Sequence, residues 1–485
     1  MHIRSILCAF ALLVGGALSA QPAPKALTPD QLTQAQIGEI DSAETLLRLA
    51  ATYKETPDYR RMSWALEQLL RLRPNAGEMR LALATSYAMM GEKTKTYDTL
   101  LKLQQAGYGF DLANNPNFTK VADTKVWDYI VEQLAINLRP FGEGKVMFEL
   151  PGGDHLFDSI AYDPKRQQFL VGSVRDGSIL RLSRDGRPAA FIQPDASNGL
   201  WSIYAMAVDA ADDALYVAST SSVYFKGFKQ EDYGKAGVFK FSLADGKLLD
   251  KHVLTPDGAP QTLSSIAVGA RGEVFAADGL RNVIYRVDGG RLKPLLANPR
   301  LTSLRGLAAS GNGRFLYFAD YTMGVFGIDL AAGRAFDVRY DPTKLALGGI
   351  DGVSWYDNHL IVIQNGMTPH RVMRLALSRD GRTIIGATPL DAGHPQLTLP
   401  TYGTVAGEFL YYIANSQKNQ YDDFGVPRDL AKIKPVAIFR TDLRFGWDAS
   451  KHESLSQAAT EISKSVPGSG RFSNVEGGST SVTGN

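Results

Sequence analysis

The sequence predicts a mainly β protein, a six-bladed β-propeller preceded by an α-helical domain. Three observations support this prediction. A strand-turn-strand unit recurs six times between residues 145 and 443, at spacings of 46, 60, 41, 46 and 51 residues, close to the roughly 40–50 residues typical of propeller blades. Two helical segments before these units align at a shift of 34 residues. A spare strand, "KVMFEL" at 145–150, precedes the first unit and could complete the last blade.

The first 20 residues have the plan of a secretory signal peptide. His2 and Arg4 precede an apolar run, and cleavage is expected after Ala20. Cys8, the single cysteine, lies inside this segment, so the exported chain needs no disulfide. We therefore predict a periplasmic or secreted protein. No other segment reaches the ~18 consecutive apolar residues of a membrane span, so none is expected in the mature chain.

The composition is typical of a soluble globular protein. Hydrophobic residues make up 44% of the chain and charged residues 21%. The formal net charge is only +2, so there is no excess of basic residues that would favour nucleic acid as a partner. A small molecule or another protein is the expected partner.

The region before the strands is predicted to be helical. Residues 21–40 are interpreted as a linker and first helix, and residues 41–140 as a helical domain. At the 34-residue shift Leu49 matches Leu83 and Tyr53 matches Tyr87. This is the period of tetratricopeptide repeats, which are helix-turn-helix units. Two units are few for a free-standing solenoid, so we expect a packing or docking domain that leans on the propeller.

The strand region, residues 145–443, is predicted to form the propeller. Each unit has an inner strand, a tight polar turn and a second strand such as "FLVGS" or "LYFAD". The second unit also carries a polar insertion, "SSVYFKGFKQEDYGKAG", expected at the surface near the binding face. A ring of blades buries both faces of each sheet, whereas a stack of β-sandwiches, the rival arrangement, does not repeat so regularly. Residues 448–485 are polar and expected to form a disordered tail.

The residues at the front of the innermost strands are the candidate site. Such strands start near the central channel of a propeller, so their first side chains should converge on the axis. These front residues are Asp158, Tyr204, Ser264, Arg305, Asp351 and Tyr402. His155 is expected on the pocket rim, where it could titrate near neutrality. Weaker candidates on loops are Asn365, His370 and His394, and the sequence contains no HExxH, CxxC, P-loop or GxSxG motif.

The stretch "DSIAYDPKRQQFLVGSVRDGSILRLSRDG" resembles the propellers of the gluconolactonase and senescence-marker-protein (regucalcin) family and its strictosidine synthase-like relatives. The resemblance covers about residues 145–443. It implies one divalent metal, calcium or zinc, that polarises a lactone carbonyl, with Asp158 and Asp351 as metal ligands and catalytic acids. The sequence departs from the family pattern at Arg305, where the family has asparagine, and at Ser264, where it has an amide side chain.

Arg305 affects whether the axis could hold a metal ion. A guanidinium ~5 Å from a divalent ion would be repelled by roughly 6–7 kcal/mol at an effective dielectric of 20. We therefore expect Arg305 to replace the metal and to pair with both Asp158 and Asp351.

Three interpretations of the axis stay open at this point. The front residues could be a polar plug that closes the channel. They could bind a small anionic or hydroxylated ligand or a protein partner, with His155 and the residues at the fronts of blades 2, 3, 4 and 6 as contacts. They could retain the metal and form a hydrolase of lactones or esters. We predict an exported binding protein, with the metal-dependent hydrolase as the alternative, and the sequence requires no cofactor beyond that one cation.

Overall fold

The computed structural model describes residues 28–446, so the expected signal peptide and polar tail lie outside the described residues. Helices come first along the chain and strands follow, as predicted. The described residues contain a helical region of about 100 residues and a six-bladed β-propeller. None of their helices is long and apolar enough to span a membrane.

Six α-helices form the helical region. They are α1 (Gln34–Gly38), α2 (Ala43–Glu55), α3 (Tyr59–Leu72), α4 (Gly77–Met89), α5 (Lys93–Gln105) and α6 (Lys125–Asn137). Helices α2 and α4 begin 34 residues apart, as do α3 and α5. Helix α2 begins where the Ser42 hydroxyl accepts a hydrogen bond from the backbone N–H of Thr45. Its buried residues, Leu46, Leu49, Ala50 and Tyr53, recur at the spacing of one helical face.

Two linking strands follow the helices and pair with blades 5 and 6. The blades are antiparallel sheets of four strands, apart from blade 5, which has five. The linking strands are β1 (Phe141–Gly142) and β2 (Lys145–Leu150). Blade 1 contains β3 (Phe157–Asp163), β4 (Gln168–Ser173), β5 (Ile179–Leu182) and β6 (Pro188–Ile192). Blade 2 contains β7 (Ser202–Asp209), β8 (Ala214–Thr220), β9 (Ala236–Ser242) and β10 (Leu248–Val253). Blade 3 contains β11 (Leu263–Val268), β12 (Val274–Asp278), β13 (Val283–Asp288) and β14 (Arg291–Ala297).

The second half of the ring repeats this plan. Blade 4 contains β15 (Leu304–Ala309), β16 (Phe315–Asp320), β17 (Gly324–Asp329) and β18 (Arg334–Asp337). Blade 5 contains β19 (Ile350–Tyr356), β20 (His359–Gln364), β21 (Arg371–Leu377) and β22 (Ile384–Ala392), and β1 pairs with its outer edge. Blade 6 contains β23 (Gly403–Ala406), β24 (Phe409–Ile413) and β25 (Val436–Asp442) from this end of the chain.

The spare strand closes the ring. Strand β2 pairs antiparallel with β25, from Lys145 opposite Arg440 to Leu150 opposite Val436. Blade 6 is thus built from both ends of the propeller, as the sequence predicted. Neighbouring inner strands contact one another in the order β3, β7, β11, β15, β19, β23 and back to β3. Because the ring is closed, the sheet of blade 6 packs against the sheet of blade 1, and neither of these facing surfaces is left exposed.

The helical region packs against blades 4 and 5. Asn75, in the turn between α3 and α4, is buried, and its side chain makes three hydrogen bonds to the propeller. Its Nδ2 donates to the Met323 carbonyl at 2.9 Å, while its Oδ1 accepts from the Leu347 N–H at 3.2 Å and from the Tyr340 hydroxyl at 3.1 Å. The propeller residues Ala346 and Met367 also join a hydrophobic core made otherwise of helical residues.

Replacing Asn75 with alanine should loosen this interface. The change removes the bonds of Asn75 to two buried backbone groups and to the half-buried Tyr340 hydroxyl, so we expect a loss of about 1–3 kcal/mol in the free energy of unfolding. Urea unfolding followed by circular dichroism measures it. The matched control is Asn114→Ala, at an exposed position of the helical region, which should change stability by less than about 0.5 kcal/mol. Equal effects of the two variants would contradict a docked helical region.

Candidate functional site

Four of the front residues share one backbone device. In blades 1, 2, 3 and 5 the pairing of the two inner strands shifts by one residue at the front position. The residues that face no partner there are Asp158, Tyr204, Ser264 and Asp351. In blade 4 the shift falls at Gly306, directly after Arg305. Such a β-bulge re-aims the side chain beside it. The front positions of blades 1, 2, 3 and 5 therefore share a structural feature, whereas in blade 6 Tyr402 precedes β23 and the pairing of β23 with β24 has no shift.

Close backbone approach explains the small residues that follow the front positions. A Cβ atom on Gly306 would lie 2.7 Å from the backbone nitrogen of Val353 in blade 5. One on Gly352 would lie 2.8 Å from the Thr401 carbonyl oxygen beside blade 6. Only glycine lets neighbouring inner strands crowd so closely around the axis.

Arg305 and Asp351 form an ion pair across adjacent blades. The guanidinium Nε lies 3.4 Å from Asp351 Oδ1. The other carboxylate oxygen, Oδ2, accepts a hydrogen bond of 2.9 Å from Asn365 Nδ2, and the Tyr321 hydroxyl donates to Asn365 Oδ1 at 2.9 Å. Burial is the largest single influence and opposes the charged form of Arg305, but the Asp351 carboxylate, helped by Tyr402, Tyr321 and Asp158, outweighs it, so the pKa of Arg305 lies above its ordinary value.

Arg305 was expected to pair with both Asp158 and Asp351. The pairing with Asp351 is present, and the pairing with Asp158 is not. Within the described residues Arg305 is within 4.0 Å of Asp351 and of no other carboxylate. Blade 1, which carries Asp158, lies opposite blade 4 in the ring, whereas blade 5 is its neighbour. The guanidinium therefore bonds to the near acid, and its carbon lies 5.8 Å from the centre of the Tyr321 ring.

Asp158 is a buried acid that no cation neutralises by contact. Only 7% of the residue is exposed, and its Oδ1 has no hydrogen-bond partner among the described residues. Burial raises the pKa of Asp158 to about 7. The exposed Lys418 and, more weakly, Arg305 favour the ionised form, while the Asp351 charge disfavours it. Asp158 therefore keeps its proton to a higher pH than an exposed aspartate would.

Tyr402 crosses the axis from blade 6 to the opposite blade 3. Its hydroxyl donates to the Ser264 carbonyl oxygen at 2.7 Å and lies 3.4 Å from Ser265 Oγ. Below it, a cavity of about 450 Å³ follows the channel and is lined by inner-strand residues of all six blades. Tyr402 is the front residue that lines this cavity, so its ring separates the channel from the polar cluster above.

Tyr204 is bonded within its own blade. Its hydroxyl donates to Ser222 Oγ at 2.9 Å, at the base of the polar insertion. Burial raises the pKa of Tyr204 to about 12. The hydroxyls of Tyr204 and Tyr402 are thus both engaged with protein groups, which leaves their rings as the surfaces that a ligand could contact.

His155 does not join the other predicted site residues. It lines a separate cavity between blades 1 and 2, where its Nδ1 lies 2.6 Å from Asp176 Oδ2. The two other histidines considered lie on loops of blade 5 and the segment after it. His370 bonds to the carbonyls of Met367 and Thr398, and the ring of His394 meets Phe439 edge-on.

Sequence reasoning underrated two residues beside Asp351: it named Asn365 only as a weaker candidate and did not name Tyr321. Tyr321 comes one residue after β16 and Asn365 one residue after β20. The second strand of a blade runs antiparallel to the first, so its end returns to the face where the front residue starts. Position directly after the second strand is therefore the signal that would have found both.

The residues present do not fit a divalent metal. Among residues 28–446 no group of three or more His, Cys, Asp or Glu side chains is arranged to hold one. Asp351 has no carboxylate oxygen left for a metal ion. One oxygen accepts a hydrogen bond from Asn365, and the other faces the Arg305 guanidinium. A hard cation needs several oxygen ligands that are not already committed.

No protein-family model matches the chain, and no curated protein matches it. Solved structures do resemble it. A gluconolactonase from Xanthomonas campestris is 14% identical, with a TM-score of 0.41, over 62% of this chain and 89% of that one. The PQQ-bound aldose sugar dehydrogenase from Streptomyces coelicolor is 14% identical, with a TM-score of 0.41, over 63% of this chain and 100% of that one.

A third similar structure is virginiamycin B lyase from Staphylococcus aureus. It is 15% identical, with a TM-score of 0.38, over 56% of this chain and 82% of that one. Likeness at this level carries no argument about a site or a reaction, and the three are named for different activities. The fold assignment rests instead on the strand pairing described above.

Proposed function

We propose that this protein is an exported propeller of the gluconolactonase-like superfamily that binds a small hydroxylated anion, of the sugar-acid type, at the axial cluster. We define the axial cluster as the front residues with Tyr321, Asn365 and Thr401. We also propose that the helical region is a tetratricopeptide-like adaptor. The two proposals are independent, because the axial cluster is built from propeller residues alone.

One observation supports ligand binding over a closed plug. Four buried polar atoms of the axial cluster have no hydrogen-bond partner among the described residues. They are Ser264 Oγ, Arg305 Nε, which faces Asp351 Oδ1 at 3.4 Å without a hydrogen bond, and Asp158 Oδ1 and Thr401 Oγ1, which lie close enough for the Thr401 hydroxyl to favour the ionised form of Asp158. Burying a polar atom without a partner costs about 1–3 kcal/mol, so a structural plug would be expected to satisfy such groups internally. Four of them together favour a site whose partners come from outside.

The chemistry of these atoms selects the ligand class. Arg305 carries a positive charge, pairs with one carboxylate, Asp351, and has about a third of its side chain exposed. It can therefore also bind the carboxylate of a ligand. Asp158, Ser264 and Thr401 offer acceptor and hydroxyl groups suited to alcohols. The Tyr321 and Tyr402 rings add flat surfaces. A molecule that carries both a carboxylate and several hydroxyls uses all of these groups.

Gluconate is the probe that tests this proposal, by calorimetric titration of the full-length protein. We expect saturable binding that weakens at least tenfold in Arg305→Gln, because the carboxylate loses its cation. Arg281→Gln is the matched control: Arg281 pairs with Asp257 on blade 3, away from the axis, and this change should leave gluconate affinity unaltered. Equal weakening in both variants, or no binding by the folded wild type, would refute the proposal.

A second calorimetric titration, with Ca²⁺ or Zn²⁺ in place of gluconate, tests the hydrolase alternative. Asp158 and Asp351 are both front residues, and the Asp351 charge raises the pKa of Asp158, which is the observation that favours it. Micromolar binding of Ca²⁺ or Zn²⁺ that is lost in both Asp158→Ala and Asp351→Ala would replace sugar-acid binding with the metal-dependent hydrolase of lactones or esters. Metal affinity unaffected by either change would exclude the axis as its site.

A further inference from the structure

A second cavity lies between blades 1 and 2, apart from the axial cluster. Its volume is about 800 Å³, within the range of small-molecule sites. None of the front residues lines it; its walls come instead from the loops beside His155, Asp176, Trp201 and the polar insertion of blade 2. Its position explains why His155 stands apart from the other predicted site residues.

A chain of polar contacts fixes the histidine in this cavity. His155 Nδ1 lies 2.6 Å from Asp176 Oδ2, and Lys226 Nζ lies 2.6 Å from Asp176 Oδ1. The His155 ring stacks on Phe157, with the ring centres 5.3 Å apart. A carboxylate at Nδ1 places the proton on that nitrogen, so the neutral ring presents the lone pair of Nε2. Nε2 makes no hydrogen bond to the protein among the described residues.

Two aromatic side chains form the apolar part of the walls. Trp201 follows the loop between blades 1 and 2, and its ring meets Phe239 edge-on at 5.8 Å. Phe225 belongs to the polar insertion, and two glycines hold its ring closely. A Cβ atom on either Gly177 or Gly227 would lie 2.8 Å from that ring. The ring therefore packs on two backbone segments that come this close only because both residues are glycine.

Contacts with blade 1 anchor the insertion itself. Arg175 forms a bidentate pair with Asp154, with Nε to Oδ1 at 2.6 Å and Nη2 to Oδ2 at 2.8 Å. Its Nη1 donates to the Tyr224 carbonyl at 2.6 Å, and its own carbonyl accepts from the Lys226 N–H at 2.8 Å. The loop that the sequence marked only as a surface insertion thus forms one ordered wall of the cavity.

We infer that this cavity is a binding site for a small aromatic molecule that carries an acidic hydroxyl, a phenol-type ligand. The rings of Trp201 and Phe225 contact the flat ring of the ligand. His155 Nε2 accepts the hydroxyl hydrogen. Lys226 is held by Asp176, so the ammonium group of the exposed Lys229, which also lines the cavity, is the cation that stabilises negative charge on the phenol oxygen. The inference does not rest on the sugar-acid proposal.

The test uses 4-nitrophenol and its methyl ether, 4-nitroanisole, with the full-length protein in calorimetric titrations. We expect 4-nitrophenol to bind one per chain and at least tenfold more tightly than the ether, which has no hydroxyl to donate. His155→Phe keeps a ring over Phe157 but removes the acceptor, so it should weaken 4-nitrophenol at least tenfold and leave the ether unchanged. An unchanged thermal midpoint shows that this variant is folded.

Lys229→Gln is the second variant, for the case that His155→Phe does not fold. Lys229 is exposed, so replacing it should not affect folding. It should weaken 4-nitrophenol at least threefold, whereas Lys54→Gln, at an exposed position of α2, should not change the affinity. The inference is overturned by any of three results: no saturable binding of 4-nitrophenol up to millimolar concentration, equal affinity for the phenol and the ether, or affinity unaffected by both His155→Phe and Lys229→Gln.

Discussion

Replacing Asp158 with asparagine is expected to raise the free energy of unfolding at pH 8 by on the order of 4 kcal/mol, and to change it little at pH 4. The reason is burial, which raises the pKa of this carboxyl from 3.8 to about 7 in the folded protein. Above pH 7 the folded protein must hold the buried charge, whereas the unfolded chain exposes it to water. Asparagine has no charge to bury at any pH.

The sign of the pH dependence follows from the same shift. Between about pH 4 and pH 7 the folded state binds a proton at Asp158 that the unfolded state has lost, so stability falls as the pH rises through this window. Lys418, Arg305 and Asp351 are the charged groups that act on Asp158. Urea unfolding of wild type and variant at pH 4, 6 and 8 measures the difference.

An exposed acid provides the control for this measurement. Asp423 lies at the surface in the loop between β24 and β25, so Asp423→Asn should change stability by less than about 0.5 kcal/mol at each pH. A difference between wild type and Asp158→Asn that stays constant from pH 4 to pH 8 would show that Asp158 has the same pKa in the folded and unfolded states.

Phe439→Ala should lower the free energy of unfolding by about 3–5 kcal/mol. Phe439 lies in β25, the strand that receives β2 and closes the ring, and its side chain is fully buried. It packs against Tyr412 with ring centres 5.8 Å apart, within the core that joins blade 6 to blade 5. Alanine leaves a cavity at the place where the two ends of the propeller meet.

Denaturant unfolding, compared with an exposed leucine, tests this expectation. Leu249 lies in β10, the outer strand of blade 2, and is 55% exposed. Leu249→Ala should therefore cost less than about 0.5 kcal/mol. A similarly small loss in Phe439→Ala would contradict the packing of blade 6 against blade 5, because blade 6 without that neighbour would leave this side chain in water in both states.

The repeat pattern of the strands carried most of the fold prediction. Alternation, turn residues and spacing are local properties, and a sheet with two apolar faces must find a neighbour on each side. For the same reason the spare strand at 145–150 could be assigned to blade 6 before its partner β25 was known. The front positions were likewise predictable, since one bulge recurs at the same place in blades 1, 2, 3 and 5.

Pairings across the axis were not predictable from the sequence. Arg305 was expected between two acids, yet only Asp351 of the adjacent blade lies within ion-pair distance. His155 was expected at the same pocket as Asp158, three residues away, but it lines a cavity between blades 1 and 2 that Asp158 does not line. Successive side chains of a strand point to opposite faces, and the loops before a strand turn by amounts that a linear pattern does not encode.

By itself, then, the sequence determined the number of blades, the closing strand and the helical region before them, and it marked the positions at the fronts of the inner strands. These depend on patterns within a few residues and on the need to bury apolar faces. Only the tertiary structure decided which of those residues touch, how deeply Asp158 is buried, and that the insertion of blade 2 walls a second cavity. Contacts, pKa values and cavities depend on distances between segments far apart in the chain, and those distances exist only once the ring has closed.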